Sequence, residues 1–104
     1  MSGAVLVHGG SVARRTALAH ALRTASGLDV RVRVSSRAAE AVKCLADPAV
    51  VALFLVDAPH DADSVRAAAQ ARGMASRVYE LEPRDAGDVV VSLTRTAMRA
   101  IDRP

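Results

Sequence analysis

The sequence predicts an α/β domain in which a parallel sheet is covered by helices on both faces, and three observations predict it. The run Val50 to Asp57, VVALFLVD, is apolar on both faces, of strand rather than helix length, and rich in β-branched residues, so it reads as a central strand. Strand-like runs alternate with helical periodicity along the whole chain. The central run stops abruptly at Asp57, which sets a carboxylate at the carboxyl end of the strand, where open α/β sheets bind ligands.

Ala4 to Val7 is a short apolar run stopped by His8-Gly9-Gly10, a first buried strand followed by a sharp turn. Ser11 is placed to cap a helix reaching about Ala25, with Leu18, Ala21, Leu22 and Ala25 on one face and Thr16, His20, Arg23 and Thr24 on the other. Gly27 supplies its stop. Leu28 to Val34 alternates apolar residues with Asp29, Arg31 and Arg33, the pattern of a half-wet edge strand guarded by charge.

Ser35 or Ser36 is expected to cap the second helix, whose buried stripe is Ala38, Ala41, Val42 and Leu45 and whose end is Asp47-Pro48. After the central strand, a third helix is expected from about Ser64 to Arg72, stopped by Gly73, with an apolar face of alanine and Val65. Arg77 to Leu81 reads as the fourth strand. Asp85 is placed to cap a last helix in which Val90, Leu93, Ala97 and Ile101 recur at helical spacing. Right-handed crossovers then favour the strand order 2-1-3-4, a short flavodoxin-like three-layer sandwich.

A chain of 104 residues with 51% hydrophobic content fits one domain over residues 1–104, and no linker or repeat divides it. Phe54 and Tyr79 are the only aromatic residues, so the core must be built from small side chains. Thirteen arginines and one lysine against eleven acids give a net charge of +3, but the charges are interspersed. Nucleic-acid binding is therefore not indicated, and no two helices pair as a helix-turn-helix. The single cysteine, Cys44, has no disulfide partner and reads as a small core residue, which fits a reducing compartment. The first residues lack the pattern of a signal peptide, and no apolar run approaches the ~20 residues of a membrane span. A cytoplasmic protein is expected.

Two constellations carry candidate chemistry. Gly9 to Thr16, GGSVARRT, shadows a phosphate-binding loop but has Arg14 and Arg15 where that motif needs glycine and lysine. Gly9, Gly10, Ser11, Arg14 and Arg15 are thus a candidate anion or nucleotide site at a helix start. His8 and His60, with Asp57, Asp61 and Asp63, are placed near the carboxyl edge of the sheet as weak metal-ligand candidates. The plainer expectation is loop histidines and solvated acids, with no metal.

The same residues resemble the receiver domain of bacterial two-component response regulators. AVLVHGGSVARR is similar to the family's first strand and helix start, SSRAAEAV to its second helix, VVALFLVDAP to the strand carrying the phospho-accepting aspartate, and VYELEPRDAGDVVVSLTRTAM to its last strand, turn and helix. A strand and a helix of the family's five-stranded pattern are then missing between the third helix and the last strand. The resemblance places the phospho-acceptor at Asp57. It also matches the family's metal-binding acidic pair to Gly9 and Gly10, and its lysine to Glu82.

Phosphoryl transfer needs cations to neutralise the transferring group, and a hard metal needs carboxylate oxygens that glycine lacks. The expectation is a pseudo-receiver: a non-enzymatic regulatory module without cofactor, acting through a protein partner or as a homodimer, with Arg95 and Arg99 of the last helix on its candidate interaction surface. The resemblance also implies that such a domain can be part of a longer regulator. Two alternatives stand beside it. One keeps Asp57 phosphorylatable, with magnesium held by Asp61, Asp63 or Glu82; the other is an anion or nucleotide binder at the Gly9 to Thr16 turn.

Overall fold

The uninterrupted apolar run of the centre requires cover on both sides, and it receives it. The computed structural model describes residues 3–102 and places that run as strand β3 (Val50–Val56) beside β1 (Gly3–Gly9), both almost wholly buried. With β2 (Val30–Ser35) and β4 (Val78–Leu81) they form one parallel four-stranded sheet in the order β2-β1-β3-β4. Helices α1 (Val12–Thr24), α2 (Ala38–Leu45), α3 (Ala62–Ala71) and α4 (Gly87–Asp102) complete the described fold, with a 3₁₀ turn at Ala75–Arg77.

The period of two along each strand divides the core into two layers. Leu6, Leu53 and Leu55 point to the side of α2 and α3, where Ala41, Leu45, Val65 and Ala69 meet them. Val5, Val7, Phe54 and Val56 point the other way, against Leu18 and Leu22 of α1 and Val90 and Ala97 of α4. The fold is the flavodoxin-like three-layer arrangement. No helix among the described residues is long and apolar enough to cross a membrane.

β2 is an edge strand, as its alternation predicts, with Arg31 and Arg33 exposed. Ser11 caps α1, accepting the Arg14 N–H at 3.1 Å. The alanine face of α3 is supplemented by Met74, fully buried just beyond the helix. Gly87, at the start of α4, sits so close to α1 that a Cβ there would lie 2.5 Å from the Cβ of Ala21. Near the other end of α4, the Sδ of Met98 would stand 3.5 Å from a Cβ at Gly3.

Several local expectations are corrected. Neither Ser35 nor Ser36 caps α2: its N-cap is Arg37, which makes no side-chain bond, and Ser35 is turned into the sheet edge. Val42 is 45% exposed despite its apolar spacing, because the short α2 presents Ala41, Cys44 and Leu45 inward instead. α3 begins two residues before Ser64, at Ala62. Asp85 does not cap α4 but accepts the Glu82 N–H at 2.8 Å, closing the turn before the helix. Ile101 is 40% exposed, whereas Thr94 is fully buried with its hydroxyl donating to the Val90 carbonyl.

The arginine content has a structural use. Arg72 donates to the Leu45 carbonyl at 2.7 Å, Arg77 to Val51 at 2.7 Å and Arg95 to Ser26 at 2.8 Å. Each ties two separate segments by a charge-assisted hydrogen bond. Much of the cationic surface read from composition is therefore spent within the molecule.

Candidate functional site at the carboxyl edge

All four strands are parallel, so their carboxyl ends share one edge of the sheet, and the loops after β1, β3 and β4 meet there. Asp57 follows β3 directly. Its N–H donates to the Leu81 carbonyl at 2.9 Å, extending the sheet by one bond, while its side chain is about three-quarters buried. Asp57 and Ala58 both adopt positive φ, 57° and 49°, a left-handed conformation unusual for residues with a Cβ.

Arg14, in the first turn of α1, reaches this carboxylate. Its Nε lies 3.3 Å from Oδ2 and 3.4 Å from Oδ1 of Asp57, and its Nη2 donates to the Glu82 carbonyl at 2.8 Å. One guanidinium thus bridges the ends of β3 and β4. The fold thus brings a cation from α1 to the carboxylate at the end of β3.

Gly9 and Gly10 make this approach feasible. Their φ values are 100° and 69°, and a Cβ on Gly9 would lie 2.7 Å from both Pro59 Cγ and the Val56 carbonyl oxygen. A Cβ on Gly10 would lie 2.9 Å from Val56 and 3.1 Å from the Arg14 stem. The backbone as folded has no room for an acidic pair at these positions.

No family model, curated protein or solved structure matches this chain.

Beyond Asp57, a cleft of about 410 Å³ is lined by Ala58, Glu80, Leu81, Glu82 and Pro83. Its three carboxylates are each paired with an arginine: Arg14 with Asp57, Arg66 with Glu80 at 2.9 Å, and Arg84 with Glu82 at 2.9 Å. Each carboxylate of the cleft thus has a guanidinium partner, with Arg66 shared between Glu80 and Asp63, and among the described residues no group of three or more His, Cys, Asp or Glu side chains is arranged to hold a metal.

The weak metal candidates separate accordingly. His8 is no loop residue but lies within β1, fully buried, with both ring nitrogens engaged. Its Nδ1 is 2.8 Å from Ser35 Oγ and its Nε2 2.8 Å from Asp61 Oδ1. An ionised carboxylate only accepts, which assigns the Nε2 proton to the Asp61 bond; the direction of the Nδ1–Ser35 bond follows the ring's protonation, because a neutral imidazole accepts there and an imidazolium donates. That bond from His8 holds the Asp61 carboxyl below its ordinary range, more than burial raises it. His60 is exposed, and Asp63 pairs with Arg66 at 2.7 Å.

The anion-site candidates are likewise occupied. Arg15 donates from Nη1 to the carbonyls of Gly9 and Gly10, at 3.0 Å for Gly9, so it clamps the turn rather than facing a ligand. Ser11 is used as the helix cap. Cys44 is buried in the α2 side of the core. Tyr79 stacks on Phe54 with ring centroids 5.3 Å apart. Arg99 is exposed beside Thr96, while Arg95 borders a shallow groove between α1 and α4.

Proposed function

We propose that this chain is a non-enzymatic regulatory interaction module: a degenerate receiver that has kept the shape of a phosphorylation switch and lost its metal chemistry. The observation that carries the reading is the Gly9-Gly10 turn, where a side chain would meet the Val56 carbonyl and Pro59. The acidic pair of an ordinary receiver would have to stand there. The pairing of Asp57 with Arg14 supports the same reading, because the carboxylate already has its counter-charge. The module then works by presenting surface to a protein partner or to a second copy, and the exposed side of α4 around Arg95 and Arg99 is the face assigned to that contact.

The test is an amide NMR titration with magnesium and then with beryllium fluoride, the mimic of an aspartyl phosphate. The expected spectrum is unchanged at Gly9, Gly10, Asp57 and Glu82. Saturable shifts abolished by Asp57→Asn would overturn the proposal in favour of a phosphorylatable receiver, a reading for which the Arg14 guanidinium beside Asp57 supplies the one favourable observation.

A further inference from the structure

The Asp57–Ala58 step is the only place among the described residues where non-glycine residues take positive φ, and two do so in succession. Aspartate is among the few residues that visit this region, but Ala58 has no polar side chain with which to offset the conformation locally, so the strain falls on Ala58. Backbone held in a sparsely populated region persists only where surrounding contacts over-determine it. Here those contacts come from two sides. Arg14 grips the Asp57 carboxylate, and His8 grips Asp61 at the N-cap of α3, three residues after Ala58. Pro59 is meanwhile pressed against the turn at Gly9.

Arg14 does more than hold one loop. Its second bond goes to the Glu82 carbonyl, which also accepts the Asp85 N–H at 2.9 Å, while the Glu82 N–H donates to the Asp85 carboxylate. The same guanidinium therefore fixes the loop after β3 and the turn after β4. The cleft between these segments is lined by residues of both.

We infer that the β3–α3 loop is a strained two-state element for which Arg14 is the catch, so that breaking the Arg14–Asp57 pair releases the loop and loosens the β4–α4 turn with it. The inference rests on the regulatory reading above and supplies its moving part. In the held state Pro59 lies against the Gly9 turn and each carboxylate of the cleft keeps its arginine partner. In the released state Asp57 and Ala58 return to ordinary backbone, Asp57 loses its counter-charge, and the surface offered at the carboxyl edge changes. Whatever engages Arg14 or Asp57 from outside would act on this equilibrium.

Amide hydrogen exchange on the full chain tests it. In Arg14→Gln, the amides of Asp57, Glu82 and Asp85 should exchange about tenfold faster or more, while those of β2 and α2 keep their protection. Adding Ala58→Gly, which takes positive φ without strain, should restore protection at Asp57 in the double variant. Unchanged exchange at these three amides, an equal acceleration across the whole sheet, or a double variant no better protected than Arg14→Gln would each overturn the inference. The two readings fail separately: phosphoryl-mimic binding at Asp57 removes the constitutive module and leaves the catch, and unaltered exchange in Arg14→Gln does the reverse.

Discussion

The Nε2 of His8 stands 2.8 Å from Oδ1 of Asp61, and through this bond the buried end of β1 fixes the start of α3. The other ring nitrogen holds Ser35 at the end of β2, so one imidazole joins three segments that are distant in sequence. Replacing it with an apolar residue of similar size removes both bonds and leaves the Ser35 hydroxyl, only 4% exposed, without its partner. His8→Leu should cost about 1–3 kcal/mol by urea denaturation. His8→Leu with Ser35→Ala should recover part of that loss, because the orphaned hydroxyl is then gone.

Asp61 gives stability a defined pH dependence. Its carboxyl is lowered in the folded protein, so the stabilising contribution is fully present above the ordinary carboxylate value and is lost as pH falls through the lowered one. The stability difference between the wild type and Asp61→Asn should therefore shrink as pH is lowered below about 4. Urea midpoints of the two proteins across that range would read it directly. A difference that is constant with pH would mean that the His8 bond does not favour the ionised carboxyl.

Gly9→Asp, which places a carboxylate in the turn after β1, should destabilise the fold by about 2 kcal/mol or more, since it combines positive φ with a close approach to backbone. Pro59→Ala should not rescue it. The Val56 carbonyl stays 2.7 Å from the new Cβ whatever residue stands at 59. Thermal unfolding of the single and double variants decides the point.

Gly87→Ala should cost about 1–3 kcal/mol by overpacking, because the added methyl meets Ala21 across the α1–α4 contact. Here a rescue is expected: Ala21→Gly removes the opposing methyl, and the double variant should unfold at a higher temperature than Gly87→Ala alone despite the helix propensity lost at Ala21.

Arg77→Lys should lose about 1 kcal/mol although charge is conserved. The bond to the Val51 carbonyl runs from Nε, a donor lysine does not have at that position along the side chain. The same change at Arg31, an exposed residue on the edge strand, should lie within about 0.5 kcal/mol of the wild type. Together the two variants separate arginine as a tether from arginine as surface charge.

The sheet order was legible because the three signals behind it are local. An apolar run on both faces marks β3, alternation marks β2, and glycines at 9, 27 and 73 mark turns. The site was legible only in part. Asp57 could be placed at the end of β3 from its own neighbours, but Arg14 is 43 residues away and its reach depends on how α1 packs. Ser35 looked like a helix cap because serine before an alanine-rich stretch is a good cap, and its hydroxyl went instead to His8 across the sheet. Val42 had helical spacing but stands on the outer side of α2, which turns Ala41, Cys44 and Leu45 inward, and Ile101 lies in the last turn of α4, 40% exposed. In each case a long-range contact, or the lack of one, overrode a sound local preference.

Gly3 at the start of β1 and Met98 near the close of α4 lie side by side, at the amino pole of the sheet. The backbone thus enters and leaves the described fold at one pole, while Asp57, Arg14 and the cleft occupy the opposite one. A fluorescent or affinity tag joined ahead of β1 or after α4, rather than within either element, would leave from that pole and keep the carboxyl edge open to solvent. Immobilised through such a tag, the domain would offer a binding surface the loops around Asp57 first.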